Sequence, residues 1–544
     1  MDLLFLSLGG IIGSGWLFAA SGAAVLAGPS AVVAWIVGGL IVLAIALVYS
    51  ELGGMIPRSG AIVRYAQFSH DSFAGYIFGW AYFLSAVSVP AIEAEAVVTY
   101  ASTYINGLVA ASGVLTIPGI AIAMLLMFLF FGLNYVGIRI MGKTNTGVTW
   151  WKLIVPLATV IILLGVGFNP GNFALSSGFL YGGWPSVFAA ISLSGIVFSY
   201  LGFRQALDYG GEAKTPQKSI PRATIASVLI GIGLYSLLQV VFIGHVDWSA
   251  IGVSAGNWGA LAKASGAKTL FDAPFATLST SAGLVLLTYV LYADAYVSPS
   301  GTLSVYLGTS QRTLYGMGAN GYYPAALTKI HEKYRIPVLP LVASLVVGFI
   351  FFLPFPSWYK LVGFISGATV FTYIVGGSAL MALRKHAPEL KRPFRLTGAS
   401  ILSPIAFVGS ALIVYWTGWP YVAYIAIAIF AGLLVYAVFY LTSKVDNIFT
   451  AKSMKSGLWV PLFILALLAL SYLGETTYGG IGVFPFPLDF VVVIIVSLIF
   501  YAISVVSATK TDEIEQMISL GTQYVATEGF PPVVGAAEGE EKES

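Results

Sequence analysis

Lys152, Glu93 and Asp294 are ionisable residues set inside stretches that are otherwise apolar. A charge in a lipid interior is costly, so each of these residues is a functional hypothesis by default. Lys152 follows Trp150-Trp151. A buried amine must find partners or shed its charge, which suits a group that releases and regains a proton. The competing reading is a lysine snorkelling to the interface, since only about 9 Å of helix separates it from Thr146. Asp294 is followed by Ser298, Ser300 and Thr302, while Pro299 and Gly301 loosen the helix and free carbonyls. A carboxylate with hydroxyls is sodium-compatible and equally a proton relay. Glu93 and Glu95 lie about 200° apart around a helix, so only one can face a pathway. The other is expected at the outer interface or against a neighbouring helix. Glu51, Arg58 and Glu212 stand at the ends of apolar stretches. They read as an inner-gate network with Arg58 to Glu212 as the expected pair, or as charges solvated at the membrane edge.

The elements that position these residues are membrane helices. Of 544 residues 58% are hydrophobic and 9% charged, whereas soluble domains carry about 25% charged residues. The mean hydropathy is +0.89. The fold class is therefore all-α and polytopic. Hydropathy places fourteen spans at about 3–27, 30–55, 73–104, 117–139, 146–168, 185–208, 220–245, 274–307, 337–353, 359–383, 401–416, 420–442, 458–472 and 488–506. The start lacks the basic n-region of a signal peptide; it reads as a first span, with a short cytoplasmic leader expected ahead of it. Residues 511–544 are polar and acidic and read as a disordered cytoplasmic tail. Lysine and arginine concentrate in one set of alternate loops, while the other set holds only Lys263, Lys268 and Lys360. That asymmetry puts both termini in the cytoplasm.

Two of the spans are interrupted. Gly9-Gly10-Ile11-Ile12-Gly13-Ser14-Gly15 packs four glycines into seven residues, each costing a helix about 1 kcal/mol against alanine. It is either a close-packing surface or a deliberate break, and irregular backbone in a membrane is tolerated only where protein buries it or it lines a cavity. Five spans on, Ser199-Tyr200-Leu201-Gly202-Phe203 interrupts the sixth span, with Arg204, Gln205, Asp208 and Glu212 after it. A repeat of five spans must be inverted in the membrane. Paired broken helices then point to a transporter's binding site, with free N–H groups for a carboxylate and free carbonyls for an ammonium or cation. Arg204 beside such a site favours a substrate with a second carboxylate. If it turns to Asp208 one helical turn on, it is neutral about substrate.

Gly10-Ile11-Ile12-Gly13-Ser14-Gly15-Trp16 resembles the first-helix signature of the amino acid–polyamine–organocation (APC) transporters. Glu51–Gly60, Phe198–Phe203, Gly211–Arg222, Ser310–Met317 and Asn320–Pro324 are similar to further motifs of that family, in order and at its spacing. The resemblance implies a leucine-transporter-like 5+5 inverted repeat, with residues 1–168 and 185–384 as the halves and four additional helices over 401–508. It implies a zwitterionic amino acid between the broken helices. Ile12, Gly13, Ser14 and Gly15 would meet its carboxylate and the carbonyls of Phe198, Ser199 and Tyr200 its ammonium. Gly202 is the matching glycine of the second break and Phe203 a gate. Lys152 matches a lysine that replaces the sodium ion of sodium-coupled relatives, and Asp294 with Ser298 lies where relatives build a cation site. Arg204 departs from the family, many members having an uncharged or acidic residue there.

The resulting reading is a secondary active amino-acid transporter in the cell membrane. It expects proton-coupled symport by alternating access and leans to aspartate or glutamate. An exchanger or a sodium-coupled symporter for neutral amino acids is the alternative, and an ion channel a remote one. An enzyme is not expected. His331-Glu332 opens like a zincin motif, but Arg335 stands where the second histidine belongs. There are no cysteines. No cofactor, metal or nucleic acid is implied, and the expected partners are an amino acid, a proton or sodium ion and lipid. The sequence is silent on oligomeric state.

Overall fold

The first apolar stretch does not make one helix. In a computed structural model of the chain, which describes residues 2–520 apart from 137, 264–267, 335 and 444, helix α1 (Asp2–Ile11) stops just short of α2 (Ser14–Ala27). Gly13 sits between them at φ −118°, ψ −140°, outside helical geometry. Next come α3 (Ala31–Met55), α4 (Ala61–Ala101), α5 (Ile117–Val136) and α6 (Ile138–Gly165). Asp71 kinks α4 with φ 62°, ψ −172°, a backbone region that ordinarily only glycine enters. Its Oδ1 accepts the Ser72 N–H at 2.6 Å and restarts the helix.

The sixth stretch is divided into α7 (Gly183–Leu193), α8 (Ile196–Tyr200), a 3-10 stretch over Leu201–Arg204, and α9 (Gln205–Asp208). Its sharp bend, 49°, falls at Ser194-Gly195 and not at Ser199–Phe203 as the sequence suggests. Gly195 has φ 98°, a conformation that costs glycine nothing and other residues a great deal. Beyond lie α10 (Pro216–His245), the short α11 (Lys268–Asp272), α12 (Pro274–Ser281) and α13 (Val285–Ala319). The chain continues through α14 (Val338–Ile350), α15 (Trp358–His386), α16 (Ala399–Thr417), α17 (Tyr421–Thr442), α18 (Ala451–Gly457), α19 (Trp459–Leu473), α20 (Leu488–Ser507) and α21 (Asp512–Leu520).

Ten helices among the described residues are long and apolar enough to cross a membrane, or eleven with the bent α7–α9 pair as one. Hydropathy alone counts fourteen. The difference falls where α2 and α3 run on as one apolar segment, at the bent pair, at α13 with its polar residues, and at the 13-residue α14. α4 packs against α13 and α15, α10 against α3, and α1 against α10, α13 and α6. α15 is buried along its length, while α5 and α20 turn Phe128, Leu129, Val491 and Ile495 outward. Apolar faces of that kind are at home against lipid.

The tail differs from expectation at its start. Asp512–Leu520 is helical because Ile514 and Met517 share a face and are buried. The Thr509 N–H donates to Ser69 O at 3.0 Å and the Gln67 Nε2 group to Glu513 Oε1 at 2.7 Å. The rest of the expected disordered tail, 521–544, lies outside the described residues.

Candidate functional site

The gap between α1 and α2 exposes a negative helix end to one side and a positive one to the other. At the α1 end, Gly9 O accepts Lys152 Nζ at 2.8 Å and the Thr302 hydroxyl at 2.8 Å. Lys152 Nζ also donates to Thr302 Oγ1 at 2.8 Å. Ile11 O accepts the Tyr235 hydroxyl at 2.7 Å. Lys152 is therefore buried against the break and does not snorkel to the interface. Its ammonium ties α6 and α13 to the last turn of α1, where a cation is electrostatically welcome.

At the α2 end the Ser14 N–H donates to Glu93 Oε2 at 2.8 Å. The sequence reading offered this N–H to a substrate carboxylate; here the protein's own carboxylate takes it. Glu93 can come so close because residue 13 is glycine: a Cβ there would lie 2.6 Å from both Glu93 Oε1 and Thr302 Oγ1. Ser14 Oγ accepts the Trp358 indole N–H at 2.8 Å. Glu95 is buried rather than at the outer interface, and neither of its oxygens has a hydrogen-bond partner.

Asp294 joins three helices. Its Oδ1 accepts the Trp151 indole N–H and the Ser298 hydroxyl, each at 2.7 Å, and its Oδ2 the Trp16 indole N–H at 3.0 Å. Asp294, Ser298 and Thr302 recur every four residues, so they share one face of α13. That face ends at the Lys152 amine.

The second break lies directly against the first. A Cβ on Gly202 would stand 2.1 Å from Ile11 N and 2.2 Å from Gly10 C, and one on Gly15 2.2 Å from Ser199 Oγ. Gly202 is thus a close-approach glycine, while Gly195 makes the bend. Ser199 Oγ donates to Gly195 O at 2.8 Å, and Phe198 meets Trp358 edge-on at 6.1 Å. Tyr200 does not face the gap with its side chain: its hydroxyl donates to Trp35 O on α3 at 3.0 Å. Phe203 packs on Tyr373 at 5.2 Å.

Arg204 is not brought to the Ser14 end. Its Nη1 donates to Ser85 Oγ at 2.9 Å, two turns of α4 from Glu93, or about 12 Å at 1.5 Å per residue. Glu212 and Glu51 each have an arginine partner that the sequence reading did not name. Arg312 holds Glu212 through Nε (2.5 Å) and Nη2 (3.0 Å). Arg384 holds Glu51 through Nε (2.9 Å) and Nη2 (2.5 Å), with Arg392 3.4 Å away. Arg58 lies over the Phe68 ring at 5.9 Å. The sequence reading assigned Arg312 to a loop; α13 runs on past it and points it inward. Tyr235, Trp358 and Trp151 were also missed, since buried aromatic donors carry no sequence mark. Thr302 was legible, one turn past Ser298. No cluster of three or more histidine or acidic residues able to hold a metal is present among the described residues.

Residues 1–440 match the family model described as amino acid permease. The chain belongs to that family. It is 39% identical to the glutamate/serine transporter AimA of Bacillus subtilis, over 96% of each chain. It is 34% identical to the aspartate-proton symporter of the same organism, over 92% of this chain and 94% of that one. The branched-chain amino acid permease BcaP is more distant, at 24% over 80% of this chain and 91% of that one. With its apolar helices, this amino acid permease is an integral membrane protein.

Proposed function

We propose that the protein is a secondary active amino-acid transporter that couples uptake to protons by alternating access and prefers acidic amino acids. The observation that carries this reading is the Lys152 ammonium bonded to Gly9 O and Thr302 Oγ1 at the break. While protonated, it fastens α1 to α6 and α13; on giving up its proton it loses one donor and the charge that holds the helix end, and α1 is released. The α13 face from Asp294 through Ser298 to Thr302 supplies a route for that proton.

Glu93 links the proton to the substrate. Ionised, it occupies the Ser14 N–H; protonated, it yields that N–H to the substrate's α-carboxylate and has a hydroxyl to donate. Ile12, Gly13 and Gly15 complete that end, and the carbonyls of Phe198 and Ser199 receive the ammonium. Glu212–Arg312 and Glu51–Arg384 close the inner side, and Arg58 belongs to the same edge.

The lean to acidic substrates is supported by the two relatives named for glutamate and aspartate, one of them a proton symporter. The other relative's name adds serine, which keeps a neutral amino acid in the reading. We further propose fourteen passes. The first five comprise α1–α2, α3, α4, α5 and α6 (residues 1–168). The inverted second five comprise α7–α9, α10, α12–α13, α14 and α15 (residues 185–384), and α16, α17, α19 and α20 (401–508) follow. Both termini, with the tail from 511, are then cytoplasmic in the cell membrane, as the loop charges require.

The test is purified protein in liposomes, offered labelled glutamate, aspartate and serine under imposed proton or sodium gradients. Accumulation is expected with an inward proton gradient and no sodium. Uptake driven only by sodium would overturn the coupling, and no uptake of any of the three would overturn the substrate class.

A further inference from the structure

Arg204 is fully buried, and its planar guanidinium lies against two tyrosine rings. The Tyr82 ring lies 4.7 Å from the guanidinium carbon and the Tyr306 ring 4.9 Å. Of its edges, Nη1 is spent on Ser85 Oγ. The remaining edge, Nε with Nη2, has no hydrogen-bond partner in the protein. That edge is the fork with which Arg312 grips Glu212 and Arg384 grips Glu51 elsewhere in this chain. The fork's geometry matches a carboxylate held by two parallel N–H bonds. Leaving it unpaired inside a membrane protein is costly.

The neighbours, Tyr306 and Tyr373 included, do not close the fork with a well-formed hydrogen bond. Asp208, one turn further, gives Oδ2 to the Tyr82 hydroxyl at 2.5 Å, and its Oδ1 has no partner. The Tyr373 hydroxyl approaches the Arg204 guanidinium closely enough to interact with it, but no hydrogen bond of full geometry forms between them. A cationic fork without a well-formed partner thus stands one helical turn from an open carboxylate oxygen and beside a tyrosine hydroxyl. The inner gate beneath them is closed by Glu212–Arg312.

We propose that Arg204 forms a second, inner station for the transported amino acid, distinct from the gap at Ser14, that takes a side-chain carboxylate in the Nε–Nη2 fork. Asp208 Oδ1 and the Tyr373 hydroxyl receive the substrate's ammonium and second carboxylate. A dicarboxylic amino acid leaving the central gap rests here before the inner gate opens; a neutral one passes without holding. The inference rests on the transport reading above. It places acid selectivity about two turns of α4 inward from the break and not at the break itself.

The experiment compares wild type with Arg204→Gln and Arg204→Lys in liposomes, following initial uptake of glutamate and serine under one proton gradient. Wild type transporting both keeps the transport reading intact whatever the variants do; wild type transporting neither removes that reading instead. For Arg204→Gln, kcat/KM for glutamate is expected to fall at least tenfold with serine within about twofold. Arg204→Lys keeps the charge without the fork, so its glutamate value is expected in between. If both substrates fall together in the two variants, Arg204 only holds the tyrosines in place and the proposal fails. If the glutamate-to-serine ratio is unchanged, it fails as well. Should Arg204→Gln not fold, the lysine variant carries the same comparison. A small inorganic anion would fit the same fork, so chloride is replaced by methanesulfonate: unchanged glutamate kinetics support the carboxylate site, and lost uptake on chloride removal assigns the fork to chloride.

Discussion

Gly202→Ala tests whether the two broken helices touch. The new Cβ would stand 2.1 Å from Ile11 N and 2.2 Å from Gly10 C, against 3.4 Å for an ordinary contact. Both obstacles are main chain, so no side chain can swing away. Restoring contact moves the α1 break and the Leu201–Arg204 stretch apart by about 1.3 Å, judged from 2.1 Å and 3.4 Å. Overpacking of this kind costs about 1–3 kcal/mol in an ordinary core. Here the displaced atoms adjoin Gly9 O, which Lys152 and Thr302 share. A misplacement near 1 Å is enough to cost a catalyst about a hundredfold, and the same loss in proton-driven uptake is expected here. The matched control is Gly54→Ala, whose Cβ would meet nothing nearer than Pro221 Cγ at 3.4 Å. It should transport within about twofold of wild type. Both variants are purified, checked for a single monodisperse peak, and assayed for initial uptake in liposomes. Gly202→Ala transporting like Gly54→Ala would show that the contact between the breaks plays no part in transport.

Glu93→Gln removes the carboxylate that competes for the Ser14 N–H; wild-type affinity should weaken as pH rises and the variant's should weaken less steeply, the Lys152 amine remaining, read as KM from pH 5 to 8. An equally steep pH dependence of KM in both would detach Glu93 from substrate binding. Arg312→Met leaves Glu212 buried without its partner, a loss of about 3–5 kcal/mol that biases the inner gate open. Because the chain has no cysteine, a single Ser59→Cys, buried beside Gly211 in the closed gate, reports this directly. Its labelling by a maleimide from the cytoplasmic side should speed up at least tenfold, and an unchanged rate would mean the pair does not hold the gate. Ile514→Asp puts a charge in the buried face of α21 and should detach it. Cleavage by a protease between Ala508 and Leu520 is the readout, and protection equal to wild type would refute the docking.

The α1 break was legible because glycine clustering is a compositional signal. The bend at Gly195 was not, since a single glycine with φ 98° looks in sequence like any other, and Gly202 drew attention for a different reason, close approach. Residue type identified Arg204, Glu212 and Glu51, but partners depend on helix rotation and length. α13 extends to Ala319, so Arg312 enters the interior and pairs with Glu212. Glu93 was marked as a pathway carboxylate from its type; that it would cap the α2 end depended on how α4 packs against the break. The amphipathic turn of α21 was hidden because acidic residues dominate the tail's average while Ile514 and Met517 alone decide its docking.

The central claim is that the Lys152 amine carries the coupling proton. Its most direct test is proton flux: weakly buffered proteoliposomes, with external pH followed by a glass electrode after aspartate is added. Wild type should alkalinise the medium in step with aspartate uptake. Lys152→Met should still exchange internal for external aspartate, with no pH change and no accumulation. Aspartate-driven alkalinisation by Lys152→Met at the wild-type rate would contradict the account.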